Sequence, residues 1–140
     1  MKKKILVIGG TGFIGYHLLK KSVVKYKVYS LSINKIKKSE KINKVTYLKG
    51  DISSKRSLKK ALKLKNFDYI VNLGGYIDHV NKQLAYKTHF KGCKNLVDFF
   101  KKKKIQLFVQ IGSSTEYGKQ KSPNIEALGG KPSTIYARSK

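Results

Sequence analysis

The chain has 140 residues, 40% of them hydrophobic and spread throughout, enough for one globular core and too apolar for a disordered segment. Its 32 basic and 7 acidic residues give a formal charge of +25, a balance that raises nucleic acid or an anionic membrane as partners. Specific nucleic-acid binding is disfavoured because only Arg56 and Arg138 are arginines and the lysines are scattered over every segment instead of forming one stripe.

In chain order, Lys4–Ile8 reads as a buried strand, too short an apolar run for a signal-peptide core. A glycine-rich turn follows at once, then a helix from about Phe13 to Lys21. Lys27–Ser32 is the next strand, and a lysine-rich loop covers roughly residues 33–44. Val45–Lys49 makes a third strand that ends at Gly50-Asp51. Ser53 or Ser54 is placed to cap a helix with Leu58, Ala61 and Leu62 on its apolar face. Phe67–Leu73 is a fourth strand, closed by Gly74-Gly75. The spacing predicts one long helix from Lys82 to Lys104, with Cys93, Leu96, Val97 and Phe100 on one side. Leu107–Ile111 is a fifth strand, and a loop containing Pro123, Gly129-Gly130 and Pro132 leads to a helical start at Ser133–Lys140.

Strands alternating with helices, and strands rich in Val, Ile and Leu, argue an α/β fold: a Rossmann-type, doubly wound parallel sheet cut off after about five strands, occupying 1–140 as one incomplete domain. No apolar run approaches the ~20 residues of a membrane span. The single Cys93 forms no internal disulfide and has no neighbours at metal-ligand spacing, so it reads as a packed residue. A cytoplasmic protein without membrane or metal partners is expected.

Gly9-Gly10-Thr11-Gly12-Phe13-Ile14-Gly15 joins the first strand to the first helix, the context in which a glycine fingerprint marks a dinucleotide site. Glycines permit the tight turn and the close approach of a pyrophosphate, and the helix N-terminus turns N–H groups and its positive dipole end toward it. Gly9, Thr11, Gly12, Phe13, Ile14 and Gly15 are the candidate phosphate-side residues. The ribose-reading position about 20 residues further on holds Ser32, with Lys35 nearby and no carboxylate, which leaves NAD and NADP both open with a tilt toward NADP. Asp51 is placed either to accept a bond from an adenine amino group or to cap the following helix.

Tyr136 and Lys140, four apart, share a helix face, and an ammonium beside a phenol stabilises its phenolate for proton transfer. Such a pair is common by chance in a chain with 9 tyrosines. Here it is accompanied by a hydroxyl cluster, Ser113-Ser114-Thr115, at the carboxyl end of the fifth strand.

Gly50-Asp51-Ile52, Asn72-Leu73-Gly74-Gly75, Ser113-Ser114-Thr115-Glu116-Tyr117-Gly118 and Pro132-x-x-x-Tyr136-x-x-x-Lys140, with the glycine turn, resemble the extended short-chain dehydrogenase/reductases. More narrowly, they resemble the NAD-dependent epimerase/dehydratase family that acts on nucleotide sugars. The resemblance implies Tyr136 as acid/base, Lys140 as its partner and nicotinamide-ribose ligand, and Ser113 as the residue that holds the reacting oxygen. It implies Asp51 and Ile52 beside the adenine, Leu73, Gly74 and Gly75 along the cofactor, and homodimers of full-length members. The dehydratases' Thr-Asp-Glu reads Ser113-Ser114-Thr115 here, with Glu116 one place late, which disfavours a 4,6-dehydratase. An epimerase or 4-keto-sugar reductase remains, against the rival reading of a cofactor-binding module without catalysis. The family's Asn-Val-x-Gly-Thr reads His89-Phe90-Lys91-Gly92-Cys93, and His89 is left as a structural or site-lining residue. Because family members continue beyond the catalytic helix, residues 1–140 alone are expected to be inactive.

Overall fold

The computed structural model describes residues 2–76 and 80–140. Strands β1 (Lys4–Ile8), β2 (Lys27–Ser32), β3 (Val45–Lys49), β4 (Tyr69–Asn72) and β5 (Leu107–Gln110) form one sheet in the order β3-β2-β1-β4-β5, with every pairing parallel. Strand β1 lies at the centre, its Ile5 opposite Val28 on one side and Tyr69 on the other. The order reverses between β1 and β4, and an open α/β sheet binds its ligands in the crevice at that switch point, beyond the carboxyl ends of the strands.

Successive side chains of a strand point to opposite faces, and β1 is apolar at every inner position because both faces are covered. Leu6 and Ile8 join Leu31, Leu58, Leu62, Ile70, Leu96 and Phe100 in the larger core, beneath α2 (Lys55–Leu62) and α4 (Gly92–Phe100). Ile5 and Val7 join Leu19 and Val28 beneath α1 (Phe13–Ser22). The remaining helices are α3 (Lys82–Tyr86) and α5 (Ile135–Ser139).

The five strands match their sequence-derived positions to within two residues at either end; β4 is shorter, with Phe67 buried just ahead of it. Ser54, not Ser53, caps α2, its hydroxyl accepting from the Ser57 N–H at 3.3 Å. Asp51 therefore does not cap that helix; its carboxylate accepts from the Ser53 N–H at 2.8 Å and closes the turn ahead of it. The expected helix over 82–104 is three pieces: α3, a π segment at Lys87–Lys91, and α4, which ends at Phe100. The wider π turn inserts a residue and rotates α4 about its axis, so Val97, expected on the apolar face, is 46% exposed while Leu96 and Phe100 are buried. Among the described residues no helix is long and apolar enough to cross a membrane.

Leu6 and Ile70 are fully buried neighbours across the β1–β4 pair, whereas Leu64 is 88% exposed. Truncating either core residue to alanine removes packed methyl groups and costs about 2–5 kcal/mol. Urea unfolding is expected to show that loss for Leu6→Ala and Ile70→Ala, and a change within about 0.5 kcal/mol for Leu64→Ala.

Candidate functional site

The glycine turn leaves β1 at the switch point. Gly9 has φ +74°, a conformation that glycine adopts without strain, and its N–H donates to the Leu31 carbonyl at 2.9 Å. The Gly9 carbonyl accepts from the Gly12 N–H at 3.1 Å. A Cβ on Gly15 would stand 2.3 Å from that same carbonyl and 2.6 Å from the Gly10 Cα, so α1 crosses the turn at a distance only glycine allows. Gly12 differs. At φ −80° it is an ordinary N-cap, and a Cβ there would meet nothing nearer than the Gly9 carbonyl at 3.4 Å.

Two of the three fingerprint glycines are thus required by the fold, and the third is not. Gly12 supplies no capping side chain, and the first bond of α1 runs from the Tyr16 N–H to the Gly12 carbonyl at 2.8 Å. The N–H groups of the first turn are left for an external acceptor, and the open face of Gly12 lets that acceptor approach. A pyrophosphate fits this cradle. Phe13 is 82% exposed and Ile14 59%, large apolar groups held in the open at the helix start.

The other candidates converge on the same end of the sheet. Thr11 donates its hydroxyl to Ser32 Oγ at 3.1 Å, tying the turn to the end of β2, with Lys35 exposed beyond. Ile52 is 3% exposed, and its side chain is core: a Cβ on Gly92 or Gly74 would meet its Cδ1 at 2.8 or 3.2 Å. At the end of β4, the buried Asn72 accepts from the Gly74 N–H at 3.1 Å and donates to Gln110 Oε1 at 2.7 Å, which shapes Leu73–Gly75 and ties it to β5. Gly9 packs on that segment, for a Cβ on it would lie 3.0 Å from the Leu73 carbonyl.

His89, from the π segment, carries the path onward. It is 3% exposed and so close beneath Gly75 that a Cβ there would lie 2.5 Å from its Cε1. Its Nε2 lies 3.3 Å from the Tyr76 N–H and 3.1 Å from the Tyr76 carbonyl. Its ring meets the Tyr136 ring edge-on at 5.2 Å between centroids. Lys140 Nζ stands 5.7 Å from the centre of the Tyr136 ring, just past the end of α5, the helix that Thr134 caps. Burial pushes the Lys140 ammonium below the ordinary lysine value, and the negative charge of Glu116 works against that shift.

Ser113 follows β5 and caps the 3-10 turn Ser114–Tyr117, against which α5 packs. Its hydroxyl accepts from the Thr115 N–H at 3.3 Å and lies 2.9 Å from Thr115 Oγ1, so one of its lone pairs is engaged within the turn. Contacts therefore run without a break from the glycine turn through Leu73–Gly75 and His89 to Tyr136 and Lys140. Sequence reading leaves His89 as structural or site-lining, and it gives Glu116 no role beyond its displacement from the dehydratase pattern. Cys93 is half-buried, and burial pushes its thiol up, the direction that makes it less nucleophilic.

Residues 5–140 match the model of the NAD dependent epimerase/dehydratase family. An uncharacterized protein of Methanocaldococcus jannaschii is 34% identical over 159 aligned positions, covering 99% of this chain and 48% of that protein. Alcohol dehydrogenase 2 of Ceratitis cosyra is 32% identical over 107 positions, covering 66% of this chain and 42% of the enzyme. Among solved structures, the ADP-L-glycero-D-manno-heptose-6-epimerase of Helicobacter pylori superposes with a TM-score of 0.86 at 26% identity, over 99% of this chain and 48% of the epimerase. The chain spans less than half the length of these relatives.

The unequal demands on the glycines separate folding from binding. Gly15→Ala forces backbone apart and is expected to cost about 1–3 kcal/mol in urea unfolding. Gly12→Ala is expected to cost about 0.5 kcal/mol and to weaken dinucleotide binding at least about tenfold by calorimetric titration. Equal stability losses for the two, or unimpaired binding by the Gly12 variant, would contradict this division.

Proposed function

The chain belongs to the NAD dependent epimerase/dehydratase family, and from that membership we propose that it holds NAD or NADP at the β1–β4 crevice for hydride-transfer chemistry on a nucleotide sugar, as an epimerase or 4-keto-sugar reductase. The observation that carries this reading is the contact path from the glycine turn to Tyr136 and Lys140, which puts a phosphate cradle and a phenol–ammonium pair at one end of the sheet. The relatives' remaining length is where further substrate contacts belong, so the reading concerns the cofactor side of the site.

In this mechanism Gly9, Thr11, Gly12, Phe13, Ile14 and Gly15 would hold the pyrophosphate, and Leu73, Gly74 and Gly75 would line the rest of the cofactor's path. Asp51 faces the adenine, and Ile52 supports the crevice from the core. Bound there, the nicotinamide supplies hydride acceptance and return. Tyr136 removes or returns the proton of the sugar hydroxyl as the carbon loses or gains hydride. Lys140 favours the phenolate electrostatically and bonds the nicotinamide ribose. Ser113, whose hydroxyl accepts from the Thr115 N–H and shares a second hydrogen bond with Thr115 Oγ1, has one hydrogen-bonding position left for the sugar oxygen, which orients the reacting carbon. The assembly we propose is a homodimer, in which the stacked and exposed pair Tyr86 and Phe90, 5.2 Å between ring centres, would be covered.

Cofactor choice turns on the Thr11–Ser32 pair. Without a carboxylate to repel it, a ribose 2′-phosphate fits beside Ser32 and within reach of Lys35, which supports NADP. Calorimetric titration with each dinucleotide tests this: Ser32→Asp is expected to shift preference toward NAD by about tenfold or more, and an unmoved ratio removes Ser32 from the account. Catalysis is tested where the protein shows turnover of a nucleotide sugar. Tyr136→Phe is expected to lower kcat by about 10²–10⁴ with cofactor affinity within about twofold, whereas retained kcat would favour a binding module over an enzyme.

A further inference from the structure

Glu116 has no part in the chemistry above, yet two separate features of the site meet on its carboxylate. It stands at the third position of the turn capped by Ser113, and the capping box is closed in both directions. Ser113 Oγ accepts within the turn, and Glu116 Oε1 reaches back to accept from the Ser113 N–H at 2.6 Å. The carboxylate lies so close to the chain before Ser113 that a Cβ on Gly112 would meet Oε1 at 2.7 Å. The Glu116 carboxylate therefore braces the backbone that carries the Ser113 hydroxyl.

The turn that carries this carboxylate packs against α5. Lys140 is half-buried there and has lost part of the water that would stabilise its charge. Tyr136 lies four residues before it with the ring centre 5.7 Å from Nζ, and the ring of His89 from the π segment meets the Tyr136 ring edge-on. Glu116, from the turn after β5, brings a carboxylate whose charge favours the Lys140 ammonium.

We propose that Glu116 is a positioning residue of this site, one carboxylate that fixes the Ser113 backbone through the capping box and, from a turn packed on α5, stands as the counter-charge to Lys140. The proposal rests on the Ser113, Tyr136 and Lys140 reading given above. It explains why an acid in this turn is useful one position away from where a dehydratase carries its own. Here the carboxylate is turned back onto the protein, where it organises the hydroxyl and the ammonium and takes no proton from a substrate.

Two variants separate the two jobs. Glutamine keeps an oxygen that accepts from the Ser113 N–H but has no charge, whereas alanine removes both. Lys140 is followed by NMR of 13C-dimethylated lysines, its signal identified by its loss in Lys140→Arg, and stability by thermal melting. Glu116→Gln is expected to melt within about 2 °C of the parent while the Lys140 titration midpoint falls by about half a unit or more. Glu116→Ala is expected to show the same fall in midpoint together with a melting temperature lowered by about 4 °C or more. An unmoved Lys140 midpoint in Glu116→Gln overturns the counter-charge role, and equal melting temperatures for the two variants overturn the bracing role. Neither readout requires turnover or bound cofactor, so failure of the parent protein to bind a dinucleotide would count against the functional reading and leave this result to stand separately.

Discussion

Gly15 meets the Gly9 carbonyl at a distance that leaves no room for a Cβ, and much of the molecule's geometry at the switch point depends on that approach. The contact fixes where α1 starts and how it crosses the end of β1. Because β1 is the central strand, the first turn of the helix is then aimed into the crevice between β1 and β4. Gly9 uses both of its backbone groups in the arrangement, one toward Leu31 of β2 and one toward Gly12, and it packs on Leu73 after β4. A few small residues thus join three strands and a helix at one point. The helix N-terminus is held against the sheet and does not depend on a ligand for its position, the preorganisation an anion site needs.

Much of this was legible in the sequence for a simple reason. A strand covered on both faces must be apolar at successive positions, as Ile5–Ile8 is, and a backbone that must pass within van der Waals contact of another must be glycine. Those are local demands that leave local marks. The π segment left none, because an extra residue in a helix is accommodated by tertiary packing; the periodic reading ran straight through it and put Val97 on the buried side. Ile52 is expected beside a cofactor, and what the sequence does not mark is that its side chain packs against Gly74 and Gly92, a relation between residues far apart in the chain. In the sequence, His89 stays undivided between a structural and a site-lining role, and Glu116 has none, for a related reason. A histidine in a helix and an acid in a turn look like ordinary residues until the fold sets one against Tyr136 and the other beneath Ser113.

The lysine excess has a different character from the site. Asp98 is bridged by Lys55, Lys94 and Lys101 at 3.2–3.8 Å, an exposed cluster across α2 and α4 of the kind that contributes little to stability. Its carboxyl is held below the ordinary aspartate value chiefly by hydrogen bonds from Lys101 and Lys94. Elsewhere the lysines lie on every side of the sheet and create a diffuse positive field that draws anions in without choosing among them. On the proposed reading, selectivity for a dinucleotide comes from directed groups: the N–H array at α1, the hydroxyls of Thr11 and Ser32, and the shaped segment Leu73–Gly75.

The contrast between a directed cradle and a diffuse field is the central claim, and an amide-resolved NMR titration with NADP tests it most directly. The account predicts saturable shifts confined to the amides of Gly9–Gly15, Ser32, Asp51–Ile52 and Leu73–Gly75, with the same pattern retained as salt is raised. Shifts spread over the lysine-bearing surface, shrinking steeply with ionic strength and leaving the glycine turn unmoved, would contradict it.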